Sequence, residues 1–70
     1  MKIKLIFLDS FETEFKDSKY LISRFADPSN LDHIICGTNL NLSFIPYKIY
    51  NCTIEWNSSK NKFKVVEASE

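Results

Sequence analysis

The chain has 70 residues, and its nine basic and nine acidic side chains cancel to a net charge of zero. A chain of this length forms one domain, residues 1–70, and buries only about 60% of its unfolded surface, so we expect marginal stability unless a partner adds burial. Strong nucleic-acid binders usually carry a basic excess. Any nucleic-acid site in this neutral chain would therefore need a local basic face.

A long first strand is predicted for Lys2 to Phe15, because apolar and polar side chains alternate with a period of two. The alternation is interrupted at Asp9, so we expect a bend or bulge near Asp9-Ser10, with the odd positions facing inward throughout. Ile6 and Leu8 break the polar face, which predicts that another segment covers them or that they form a contact surface. The apolar odd positions are Ile3, Leu5, Phe7, Phe11 and Phe15.

A polar turn at residues 16–19 leads to a second predicted strand, Tyr20 to Ala26. A loop at residues 27–30 contains Pro28, which fixes its own φ and restricts the residue before it. The third predicted strand runs from Asp32 to Thr38, and Gly37 within it indicates a bulge or a close backbone approach. On the second strand, one face carries Leu21 and Phe25 and the other carries Tyr20, Ile22 and Arg24.

The segment Asn39 to Pro46 is open to two interpretations, a short helical turn or an irregular crossing that plugs one end of a barrel. A hairpin follows from Tyr47 to Val66, because two runs rich in β-branched and aromatic residues flank turn-forming residues. Favourable cross-strand pairs predict its register, and Glu67 to Glu70 is expected to fray. The predicted pairs are Trp56 with Phe63, Ile54 with Val65, Glu55 with Lys64 and Asn57 with Lys62, leaving residues 58–61 as the loop. A register two residues away from this one, with a different loop length, is the alternative.

Five strands with a long bent first strand predict an all-β fold, a small five-stranded barrel. An OB-fold-like Greek-key barrel is favoured, since closure removes vulnerable strand edges. An SH3-like barrel is the alternative.

Two stretches carry a family resemblance. They are Tyr-Leu-Ile-Ser-Arg-Phe-Ala-Asp-Pro at residues 20–28, and the Tyr47, Tyr50 and Thr-Ile-Glu-Trp pattern that ends at residue 56. With the N-terminal strand and polar turn, this order resembles compact OB-fold single-stranded-DNA-binding proteins of phages and plasmids. The resemblance implies binding without catalysis, through aromatic and basic residues on an exposed sheet face. The chain departs from that pattern in lacking a basic excess and an acidic tail.

Candidate contacts follow from the chemistry of single strands, since bases stack on aromatic rings and basic side chains track phosphates. Tyr20 and Arg24 share a strand face, with Lys16 and Lys19 in the adjoining turn; the alternative is a solvated outer face. Tyr47 and Lys48 complete the candidate set. A second basic group, formed by Lys60, Lys62 and Lys64, is expected to share one face of the last strand, as a phosphate track or as lysines that protect a β-edge.

Catalysis is not expected, because the chain offers a single histidine and no evident nucleophile–base pair. No cofactor is expected, and the His33 and Cys36 spacing is a poor match to a zinc site. No apolar run approaches the roughly 20 residues of a membrane span. We therefore expect a cytoplasmic protein in which Cys36 and Cys52 are reduced thiols.

The sequence predicts a sequence-tolerant single-stranded-DNA-binding protein whose partner is single-stranded nucleic acid. The alternative is a small β-barrel that binds protein, such as a phage accessory or inhibitor protein. Neutral charge and the apolar side chains of Ile6 and Leu8 motivate that alternative, because exposed apolar patches mark partner surfaces. Either function is compatible with a homodimer, which would add burial.

Overall fold

The computed structural model describes residues 1–70 and contains five strands in one closed barrel. The strand order is β1-β2-β3-β5-β4, and β4 pairs back to β1. The predicted all-β five-stranded barrel is confirmed, and the pairing of β3 with β5 gives the OB-fold-like order. No helix of the length and apolarity needed to cross a membrane is present. The strands are β1 (Lys2–Phe15), β2 (Ser18–Asp27), β3 (Asn30–Thr38), β4 (Ile49–Asn57) and β5 (Lys62–Ser69).

The β4–β5 hairpin has the predicted register. Trp56 pairs with Phe63, and the four pairs from Asn57–Lys62 to Ile54–Val65 are all observed. The predicted fraying of residues 67–70 is wrong, because a register shift after Val65 lets β5 continue to Ser69. Residues 67–69 pair with residues 51–53 of β4 and so lie within the sheet.

The β1–β2 hairpin contains the predicted irregularity, and its consequence differs from the prediction. Phe7 pairs with Phe25 and Asp9 pairs with Arg24, so Leu8 is the extra residue of a bulge. Because neighbouring residues point to opposite faces, one extra residue reverses the alternation. Phe7 is 4% exposed, whereas Phe11 and Phe15 are 48% and 63% exposed. The expectation that odd positions face inward throughout is wrong beyond Phe7.

The hairpin turn between β1 and β2 is shorter than predicted. Lys16 and Asp17 have φ values of 51° and 63°, as in a two-residue type I′ turn. The second strand therefore begins at Ser18 and not at Tyr20. The third strand also begins earlier than predicted, at Asn30.

The core is closed by the segment between β3 and β4, which crosses the barrel irregularly and contains no helical turn. Its Phe44 ring stacks on Phe7 with centroids 4.9 Å apart and meets Phe25 and Tyr50 edge to face. The hydroxyl of Tyr50 accepts a 2.8 Å hydrogen bond from the backbone N–H of Ile45. The plugging interpretation of this segment is therefore confirmed. The buried cluster consists of Leu5, Phe7, Phe25, Tyr50, Cys52, Ile54 and Val65.

The parallel contact between β3 and β5 consists of one bridge, from Gly37 to Val65. A Cβ on Gly37 would lie 2.7 Å from Leu40 Cδ1 and 3.0 Å from the backbone oxygen of Val65. The predicted close backbone approach at Gly37 is confirmed, and it is the place where the barrel closes.

Candidate nucleic-acid interface

The outer face of β1, β2 and β3 carries exposed rings as a result of the Leu8 bulge. Residues directly opposite each other in an antiparallel pair share a face. Phe11 lies opposite Ile22, which lies opposite Thr38 on β3, and Thr13 lies opposite Tyr20. This face consequently carries Phe11 and Phe15, where an uninterrupted alternation would have placed Glu12 and Glu14.

A cleft of about 270 Å³ opens on this face, and we call it the hairpin cleft. Its walls come from the end of the β1–β2 hairpin, from β3 and from the β4–β5 loop. Two aromatic rings and one ammonium group therefore face the same space. The lining residues are Thr13, Phe15, Tyr20, Ile22, Thr38 and Lys60.

The four predicted residues on β2 and its turn separate into different positions. Tyr20 lines the hairpin cleft, and the Lys16 ammonium lies 5.3 Å from the centroid of the Phe15 ring. Lys19 lies opposite Glu14 and is adjacent to Tyr20 on β2, so the side chains of Lys19 and Tyr20 point to opposite faces of the sheet. The structure brings Tyr20 and Lys16 towards the same aromatic surface and does not bring Lys19 there.

Arg24 shares the face of Tyr20, as predicted, and is held in an ion pair. Its Nε and Nη2 atoms donate to the two carboxylate oxygens of Asp9 at 2.6 and 2.5 Å. The hydrogen bond and charge of Arg24 lower the pKa of Asp9, and Asp9 raises the pKa of Arg24. Sequence reasoning missed this pair, because it treated Asp9 only as an interruption of the strand.

Tyr47 and Lys48 lie outside the hairpin cleft. They were predicted to lie in the fourth strand, which begins only at Ile49. Tyr47 is exposed. Its backbone N–H donates a 2.7 Å hydrogen bond to the carbonyl of Phe7. Thr13, which lines the cleft, is six positions beyond Phe7 on β1, a span of about 20 Å in a strand. The Lys48 ammonium pairs with Glu70, which raises the pKa of Lys48.

The three lysines of the last hairpin do not form one stripe. Lys62 and Lys64 lie opposite Asn57 and Glu55, whereas Lys60 belongs to the loop and lines the hairpin cleft. The β-edge interpretation fits Lys62 and Lys64, because they pair with β4 on one side and lie before the single β3–β5 bridge at Val65 on the other; it does not fit Lys60. Lys60 is a cleft residue that no strand periodicity could have identified, because it lies in a turn.

The largest cleft, of about 480 Å³, lies over β1, β4 and β5 and is polar. Its only apolar lining residue is Ile3, and no aromatic ring lines it. It therefore offers nothing on which a base could stack. The polar lining residues are Lys2, Lys4, Asn51, Thr53, Glu67 and Ser69.

The thiols and the histidine do not form a metal site. No three His, Cys, Asp or Glu side chains lie together as a ligand set. His33 is exposed and Cys36 is half-buried. Both cysteines are free thiols, and burial raises the pKa of Cys52 to about 11.

No family model matches the chain, and no curated protein or solved structure shows significant similarity to it.

Proposed function

We propose that this protein binds single-stranded DNA without strong sequence preference and without catalysis, at the hairpin cleft. The observation that carries the proposal is the convergence of the Phe15 and Tyr20 rings with the Lys60 ammonium around one open cleft. OB-fold barrels bind oligonucleotides on the face of strands 2 and 3, between the loops that join strands 1 and 2 and strands 4 and 5. The hairpin cleft occupies the equivalent position in this strand order.

The chemistry of the cleft suits a flexible polyanion. Every base has a π-face, so stacking on Phe15 and Tyr20 tolerates any sequence. Lys16 and Lys60 supply positive charge at the margins of the cleft, and phosphate contacts of this kind release counterions. Binding should therefore be local and salt-sensitive even though the whole chain is neutral.

The test is fluorescence anisotropy of a labelled oligo-dT titrated with the protein at low and high salt. We expect micromolar or tighter binding at low salt that weakens as salt is raised. Tyr20→Ala should weaken binding by about 1–3 kcal/mol, the usual contribution of one stacked base. Lys60→Gln should reduce the slope of log affinity against log salt by about 0.7.

Two variants serve as controls. Tyr47→Ala removes an exposed ring and Lys64→Gln removes an exposed lysine, and neither residue lines the hairpin cleft. Both should bind as the parent protein does. Absence of binding by the parent protein at low salt would refute the proposal, and equal losses in Tyr47→Ala and Tyr20→Ala would place the site elsewhere.

A protein partner is the second candidate function, and one row of side chains favours it. Ile49 lies opposite Ile6, Ile6 opposite Ala26, and Ala26 opposite Ile34. This row crosses four strands on the outer face, and Ile34 and Ile49 are exposed at its ends. A pull-down that is lost in Ile49→Lys but retained in Tyr20→Ala would support this function over DNA binding.

A further inference from the structure

The barrel is closed between β3 and β5 by a very short contact. One bridge, Gly37 to Val65, joins them, so residues 31–36 of β3 and residues 62–64 of β5 have no ladder partner on their facing sides. A second cleft of about 410 Å³ occupies this opening, and we call it the seam cleft. Its lining residues are Asp32, His33, Ile34, Ile35, Cys36, Trp56, Lys62 and Phe63.

The aromatic residues of the seam cleft lie on the strand face that points into the barrel, but they are not buried. Trp56 and Phe63 continue the face of the buried pair Ile54 and Val65. They are nevertheless 52% and 39% exposed, because no strand covers them at the opening. Their centroids are 5.1 Å apart with ring planes at 77°, an edge-to-face arrangement that leaves at least one face of each ring uncovered by the other.

We infer that the seam cleft is a second base-stacking subsite, filled by Trp56 stacking on a nucleobase of the same DNA strand that occupies the hairpin cleft. The inference rests on the proposed function of the hairpin cleft and extends it to a longer binding track. Lys62, Asp32 and His33 also line the seam cleft; Lys62 supplies positive charge for a phosphate, and Asp32 and His33 supply polar groups for base edges.

The two clefts are close enough to share one strand. Thr38 lines the hairpin cleft and Ile34 lines the seam cleft; they are four positions apart on β3, a span of about 13 Å. Lys60 and Lys62 border the two clefts from either end of one short segment. A track of this length matches the small end of the 4–16 nucleotides that OB folds cover.

Trp56 is the only tryptophan, so intrinsic fluorescence reports on the seam cleft directly. Full-length protein is titrated with unlabelled oligo-dT of two to twelve nucleotides, and binding is followed separately by anisotropy of a labelled oligo-dT. We expect the longer oligonucleotides to quench Trp56 and to shield it from iodide, while dinucleotides do not. Trp56→Leu should weaken binding of the longer oligonucleotides roughly 5- to 150-fold, the effect of losing one stacked base.

Circular dichroism melts test whether Trp56→Leu is folded. If it is not, the fluorescence titration of the parent protein still tests the inference, because it requires no variant. Salt-dependent anisotropy with unchanged Trp56 fluorescence and unchanged iodide access would overturn the seam subsite while leaving the hairpin cleft as the binding site. No anisotropy change in the parent protein would remove the proposed function, and the seam subsite with it. Protection of Trp56 by extended peptides in place of oligo-dT would assign the seam cleft to a protein partner and overturn the inference.

Discussion

The two hairpins of the barrel both present aromatic rings to solvent, and they reach this result by different routes. In β4–β5, Trp56 and Phe63 keep the inward phase predicted by their pairing and are exposed because the seam beside them is open. In β1–β2, the Leu8 bulge reverses the alternation and turns Phe11 outward. Exposure of a ring in a small barrel thus depends on both the phase of its strand and the closure of the sheet.

The largest effect that sharpens this comparison comes from two phenylalanines of the β1–β2 hairpin. Phe25→Ala removes a fully buried ring that contacts Phe7 and Phe44, and should lower the free energy of unfolding by about 3–5 kcal/mol. Phe11→Ala removes a half-exposed ring and should change it by about 0.5 kcal/mol or less. Urea denaturation followed by circular dichroism measures both.

Equal losses in the two variants would contradict the reversed alternation, because Phe11 would then belong to the core. The two variants therefore distinguish a β1 strand with a bulge at Leu8 from one in which the alternation of the sequence continues unbroken. If all odd residues of β1 faced inward, Phe11 and Phe25 would both be core residues, and both alanine variants would be strongly destabilised.

Sequence reasoning succeeded where pairing preferences acted locally and failed where a single inserted residue changed the phase. The β4–β5 register followed from Trp56–Phe63 and Glu55–Lys64, pairs that a one-residue slip would destroy. The position of the β1 irregularity was also readable, because Asp9 interrupts an apolar pattern. The sequence did not show whether the alternation continues or reverses after this point, since a bend preserves the alternation and a bulge inverts it.

The candidate site was predictable only in part for a related reason. Tyr20, Ile22 and Arg24 were assigned to one face by simple alternation within a strand, which the pairing confirms. The contribution of Lys60 depends on where a loop folds, and the ion pair between Arg24 and Asp9 depends on the inverted phase of β1. Such long-range relations are set by tertiary structure and leave no periodic signal in the sequence.

A second prediction concerns Cys52 of the β4–β5 hairpin. Burial raises its pKa from 9.0 to about 11, so the folded protein favours the neutral thiol. The resulting stabilisation is fully present below pH 9 and is lost as the pH rises from 9 towards 11. Urea midpoints measured between pH 7 and pH 11 should fall over this window in the parent protein, and the fall should be smaller in Cys52→Ala.

Cys36→Ala is the matched control, because its thiol is half-buried on β3 and its removal should leave the alkaline fall unchanged. A thiol-specific reagent at pH 8 supplies an independent measurement. Cys36 should react in the folded protein and Cys52 only after unfolding. Rapid reaction of both thiols in the folded state would contradict the burial of Cys52.

The smallest effect is expected at the bulge of the β1–β2 hairpin, where Asp9 holds Arg24. Asp9→Asn removes the carboxylate that accepts both guanidinium hydrogen bonds and leaves Arg24 free to contact a phosphate beside the hairpin cleft. Affinity for oligo-dT should rise a few-fold at low salt, and the slope of log affinity against log salt should steepen by about 0.7. Glu14→Gln removes the same charge from the opposite face of the hairpin and controls for net charge alone. Equal steepening in both variants would mean that Arg24 remains out of reach of the strand, whereas steepening in Asp9→Asn alone would show that the ion pair limits how strongly this face attracts DNA.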